Sequence, residues 1–148
     1  MVSVSHTLVA ISIAAKITNP VIALPLSFFS NYVLDMIPHW DFGYGWREKS
    51  KKKLFIEGFA DVAVSYILVF LIWKKFLPNT SLISLLINAF LAHLPDWLEL
   101  PYLLFNIKIQ PFTFFYQIQH VVHRKLALPW GVVTQIVTVA PFLYFALR

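Results

Sequence analysis

Five apolar stretches run along the chain, at residues 2–17, 21–37, 54–73, 81–94 and 126–147, with polar residues gathered into the connections between them. A helix needs about 20 residues to cross the hydrocarbon of a bilayer, so the third and fifth stretches are long enough to span outright. The other three are short or carry polar residues, as expected of helices packed inside a bundle with one end against water or protein polar groups. The pattern predicts an all-α, multi-pass membrane bundle of about five transmembrane helices, forming one domain over residues 1–148. Residues 2–17 lack a preceding basic residue and a small-residue cleavage site, so they are expected to stay as a helix rather than leave as a secretory signal.

Within this pattern a segment recurs. NYVLDMIPHW at 31–40 aligns without gaps on NAFLAHLPDW at 88–97, sharing Asn, Leu, Pro and Trp. Each copy follows an apolar helix with a polar residue near its start, His6 in the first and Asp61 in the second. Two tandem helical hairpins are therefore expected, one over about 1–46 and one over about 52–105, both entering from the same side. An interfacial segment and a last helix fill 106–148.

Composition sharpens the solvent. Hydrophobic residues make up 59% of the chain and charged ones 13%, with a mean hydropathy of +0.70. Twelve Lys and Arg with seven Asp and Glu are too few to cover a water-soluble globule, which excludes that class along with disorder and coiled coils. The net charge of +5 reads as topology, because the basic residues cluster in one loop. With a cytoplasmic amino terminus, Arg47, Lys49, Lys51, Lys52, Lys53, Lys108, Arg124 and Lys125 lie inside and Lys16, Lys74, Lys75 and Arg148 outside, as in an inner-membrane protein. Trp40, Trp46, Trp97 and Trp130 then fall near the cytoplasmic interface and Trp73 near the outer one. Membrane lipids are the expected partners, and no nucleic-acid-binding motif is present. Oligomeric state is not legible.

The candidate chemistry shares one side of this topology. His6 opens the first helix, Asp35, His39 and Asp41 follow the second, and Glu57 and Asp61 open the third. His93, Asp96 and Glu99 close the fourth, and His120 and His123 precede the fifth. With no cysteine in the chain, a metal must be held by imidazole and carboxylate, which suits zinc, manganese or iron. Asp35 with His39, His93 with Asp96 and His120 with His123 are three or four residues apart, so each pair is predicted to share a helical face and converge on an ion. Pro38 and Pro95 are expected to end or kink their helices and turn the next side chain inward. Asp61 lies seven residues past Leu54 and needs a partner from another helix; His6, His93 or a shared metal are the candidates. Glu57 and Glu99 are read as snorkelling or capping residues.

An early His, a helix ending LDMIPHWD, a second hairpin ending HLPD and a late HxxH before a terminal helix together resemble the membrane-bound metal-dependent hydrolases of bacteria. The family's usual pattern is an early His, a PDxD-type helix end and a histidine pair around HRGxTH, and its ligand layout is similar to that of zinc-dependent phospholipase C. The resemblance implies that His6, Asp35, His39 and Asp41 stand in the first two places and His120 and His123 in the last. DMIPHWD has His where the family has its first Asp, and QHVVHRK lacks the Arg-Gly core.

The function expected from these readings is metal-dependent hydrolysis at the cytoplasmic membrane face. His6, Asp35, His39, Asp61, His93, Asp96, His120 and His123 are the ligand candidates, zinc is the leading metal, and Asp96 or Asp41 takes the proton. The substrate class is a phospholipid or another membrane-associated ester. Two alternatives are a metal-ion or proton transporter, because intramembrane Asp and His also mark conduction paths, and a non-enzymatic membrane scaffold.

Overall fold

A computed structural model describes residues 1–45 and 48–148; the interfacial placement of Trp46 and Arg47 falls outside the described residues. Six helices occur among them: α1 (Ser3–Lys16), α2 (Pro20–Asp35), α3 (Lys51–Phe76), α4 (Leu82–Phe105), α5 (Phe112–Val122) and α6 (Trp130–Ala146). Their starts follow from local chemistry. Asn19, Ser50 and Ser81 each accept a hydrogen bond from a first-turn amide, at Val21, Lys53 and Ser84, and Pro20 occupies the first turn of α2, where its missing N–H costs nothing. Asn106 ends α4 in the left-handed region at φ 56°, a conformation its short polar side chain tolerates.

α1 sits at the centre, packed against α4, α2, α3 and α6, while α2 and α5 close over α4. Ala10, Ala14, Ala23, Ala89 and Ala92 are all buried, so backbones approach closely where the helices cross. Ile11, Ala14, Val69, Leu85 and Ala89 form an apolar cluster at one end. Met1, Val9, Leu34 and Val139 form a second, and polar Ser27, Asn31, Asn88, Gln119 and Gln135 are also buried, while Phe29, Phe59, Ile67, Ile83, Ile136, Val137 and Phe145 are exposed. Ser27 Oγ donates to Asn88 Oδ1 at 2.6 Å and Asn31 Nδ2 to the Ala92 carbonyl at 2.9 Å, joining α2 to α4.

Of the five crossings expected, α3 is the one that is both long and apolar enough to cross a membrane by itself among the described residues. α6 is apolar but has 17 residues. The stretch at 81–94 extends to Phe105 in α4, and a helix not anticipated, α5, occupies part of the interfacial segment.

The two copies of the repeat part company at their prolines. α2 stops at Asp35, three residues before Pro38, but α4 runs on through Pro95 and Pro101. The difference is tertiary. His39 N donates to the Arg124 carbonyl at 3.0 Å, Leu126 N to the His39 carbonyl at 2.7 Å and Trp40 N to the Gly131 carbonyl at 3.2 Å. The first copy is thus drawn into an extended pairing with the chain after α5, and the second has no such partner and keeps its helix.

Gly131 makes this docking close. A Cβ there would lie 2.4 Å from the Leu126 carbonyl oxygen and 2.5 Å from the Trp40 amide nitrogen. Gly131→Ala is expected to force these backbones apart at a cost of about 1–3 kcal/mol, lowering the melting temperature of the detergent-purified protein by roughly 2–10 °C.

Candidate metal centre

The extended segment after α2 brings together residues that are far apart in sequence. Asp35 is the last residue of α2, His39 and Asp41 lie on the segment paired with Lys125, and His123 is the residue at which α5 ends. His6 comes from the first turns of α1. Asp35, His39 and His123 each present one donor atom, and all three lie within 4.8 Å of one another.

Nε2 is the nitrogen that all three imidazoles turn inward. His6 Nε2 lies 3.3 Å and His39 Nε2 3.5 Å from Asp35 Oδ1. His39 Nε2 is 2.8 Å from His123 Nε2, and Asp41 Oδ2 is 2.7 Å from His123 Nε2 and 3.5 Å from His39 Nε2. Zinc–ligand bonds of 2.0–2.2 Å at tetrahedral angles separate donor atoms by about 3.3–3.6 Å. The contacts to Asp35 match that edge, and the two shorter ones are hydrogen-bond lengths.

Two observations favour a cation over a hydrogen-bonded cluster. His39 Nδ1 lies 2.7 Å from the Ile37 carbonyl, which can only accept, so Nδ1 carries a proton and Nε2 is the ring nitrogen left facing Asp35, Asp41 and His123. This is how a backbone carbonyl orients a metal-binding histidine. His6 is fully buried with Nε2 3.3 Å from Asp35 Oδ1, so a cation between them would take both as ligands. The carboxylate already draws positive charge, since the Met1 amino group contacts Asp35 Oδ1.

Around this centre stands a layer of polar groups. Gln119 Nε2 donates to Asp35 Oδ2 at 3.0 Å and to Asp96 Oδ1 at 2.5 Å, and Asn31 Nδ2 donates to Asp96 Oδ2 at 3.0 Å. Burial alone would raise the Asp41 carboxyl, but hydrogen bonds with His123 and His39 and the Lys125 ammonium outweigh it and hold the group well below the ordinary carboxylate range. Asp41 is therefore an anion at neutral pH and a weak proton acceptor. Its contribution to stability is present above the unfolded carboxylate range and is lost only in strong acid. Gln119→Ala frees the Asp35 carboxylate to reorient and is expected to weaken metal affinity by about 10–100-fold, measured by competition with a chromophoric chelator.

A cavity of about 720 Å³ opens beside the centre, lined by Asp35, Asp41, His123 and Gln119 and, further out, by Asp61, Asp96, Glu99 and His120. Lys49, Lys51 and Lys125 also reach it. Lys49 pairs with Glu57 at 2.7 Å, in keeping with a surface role for that glutamate.

Of the ligand candidates, Asp35, His39 and His123 come together, and His6 lies against Asp35. The others have different neighbours. His120 and His123 do not converge, because α5 ends at Val122 and His123 is extended, at φ −69° and ψ 115°, while His120 is exposed and stacked on Tyr116. His93 and Asp96 face different neighbours of the unbroken α4. His93 Nε2 lies 3.1 Å from the Ser3 carbonyl, to which it must donate, and 3.1 Å from Thr7 Oγ1, so it offers no lone pair there. Asp61 finds its partner in a backbone amide, with Oδ2 accepting from Ser3 N at 2.7 Å, where the positive end of α1 suits a carboxylate. Asp96 belongs to the outer layer. Gln119 was missed, although it stands four residues before His123 and one turn of helix puts it on the same side.

Compared with protein-family models, curated proteins and solved structures, the chain matches none of them.

Proposed function

We propose that the chain is a multi-pass membrane protein that hydrolyses a membrane-associated ester at the inner-leaflet interface with the help of a divalent ion, zinc being the leading choice. The observation that carries this reading is the convergence of His6, His39 and His123 Nε2 atoms with the Asp35 and Asp41 carboxylates on one side of a roomy cavity. The multi-pass arrangement is supported by buried polar side chains beneath an apolar exterior and by α3, which is long and apolar enough to cross a membrane. The cytoplasmic placement of the site rests on the distribution of lysine and arginine.

An ion held there supplies Lewis acidity at a phosphoryl or acyl oxygen and lowers the pKa of water toward about 7. The chain does the rest. Asp35, His39 and His123 would hold the ion, with His6 beside Asp35 and Asp41 completing the set or orienting His123. Asp96 is the better proton acceptor of the two carboxylates first considered, because Asp41 is committed to its imidazole and ammonium partners and Asp96 lines the cavity. Gln119 holds Asp35 and Asp96 apart as a spacer. Of the lysines lining the cavity, Lys49 and Lys125 are paired with Glu57 and Asp41, and Lys51, which donates to the Leu104 carbonyl, is the ammonium left to meet an anionic headgroup.

The test is elemental analysis of detergent-purified protein, followed by incubation with phospholipid vesicles with and without chelator. Bound metal and chelator-sensitive release of a headgroup or fatty acid support the proposal. Metal flux in proteoliposomes without any hydrolytic product would replace it with transport.

A further inference from the structure

We infer that the groove between α3 and α6 holds one acyl chain of the substrate while its charged headgroup occupies the metal cavity, an inference that rests on the hydrolase reading. α3 and α6 each lean on α1, leaving between them an apolar channel of about 620 Å³ with α1 as its floor. Its walls include Ala60 and Val64 on α3 and Val132, Ile136, Ala140 and Leu143 on α6.

Three features commit the groove to an acyl chain continuing from the site. It adjoins the metal cavity, with Phe42 and Asp61 lining both spaces. Its polar lining is confined to Asp61, which it shares with the cavity, and to Ser5, Gln135 and Trp40, and it is apolar toward Leu8 and Leu143. From Val132 to Leu143 it runs eleven residues, about 16 Å of helix, close to the roughly 15 Å hydrocarbon depth of one leaflet. An amphiphile with its headgroup at the metal cavity therefore has an adjoining apolar groove for one chain, and a water-soluble ester has no use for it. Hydrolysis consumes one water, breaks the ester bond and leaves the acyl-bearing fragment in the groove.

The experiment uses the full chain in mixed micelles with a lysophosphatidic acid carrying a diazirine in its acyl chain. Irradiation is expected to label peptides containing residues 60–64 and 132–143. Ala60→Trp and Ala140→Trp fill the groove from opposite walls at exposed positions. Each should cut labelling and raise KM for a long-chain lysophospholipid by at least about tenfold, since several methylenes lose their burial. A short-chain analogue and the metal content should be unaffected, and Val137→Trp, on another exposed face of α6, should change nothing. Labelling spread evenly over the outer faces of α3 and α6, or long- and short-chain substrates affected alike, overturns the inference. Groove labelling that the tryptophans abolish, in a protein showing no turnover of any ester, keeps the groove and rejects the hydrolase.

Discussion

His39→Ala is expected to empty the centre and abolish metal-dependent hydrolysis. His39 Nε2 is the atom closest to the middle of the cluster, with Asp35, Asp41 and His123 all within 3.5 Å. Removing the ring deletes one donor and also breaks the bridge through which Asp35 and His123 face each other. Loss of a group that only orients a ligand already costs about 10–100-fold in affinity, so loss of the ligand should exceed that, and bound metal should fall from near one equivalent to a trace after dialysis. His93→Ala is the informative companion. Its Nε2 hydrogen is committed to Ser3, so the variant should keep its metal while losing some stability. Elemental analysis of the two proteins side by side decides the point. Metal retained in His39→Ala, or lost equally in both, would show that the cluster is not the binding site.

Chelation should lower the melting temperature. An ion that binds only the folded chain stabilises it by about 2.7 kcal/mol at a hundredfold excess over its Kd. For a chain of this size that corresponds to roughly 5–10 °C, recovered when zinc is restored. The physical origin is local: an ion would tie Asp35 at the end of α2 to His39 and His123 on the segments that follow α2 and α5. His123→Ala should melt at the chelated temperature and show no response to zinc. An unchanged wild-type melting curve would instead assign the cluster to holding helices together without metal.

How far the sequence discloses the site depends on whether the helical period still applied where the residues stood. Asp61 was read as needing a partner from another helix, with His6, His93 or a metal as candidates, and His93 as a metal ligand. Both sit inside regular helices, but their partners are backbone atoms of α1, which no side-chain pattern advertises. The HxxH spacing at 120–123 assumed a helix that ends at Val122, and the Asp35–His39 spacing assumed a helix that stops at Asp35. The first expectation failed and the second residue pair met for a different reason, the turn of the chain after Met36. Gln119 carried the only periodic clue to the outer layer, and a glutamine is easily passed over when acids and imidazoles are being sought.

Hydropathy was sufficient by itself to set an all-helical chain with an apolar exterior and an α3 long and apolar enough to cross a membrane, because those properties depend on which side chains tolerate lipid. Which of the histidines and carboxylates share a centre was decided by tertiary structure. The pairing of residues 39–40 with residues 124–131 draws one copy of the repeat out of helix and delivers His39 to His123, while the other copy, without such a partner, stays helical and turns His93 toward α1. Backbone hydrogen bonds between segments some 85 residues apart leave no trace in local periodicity, and they are what assembles the site.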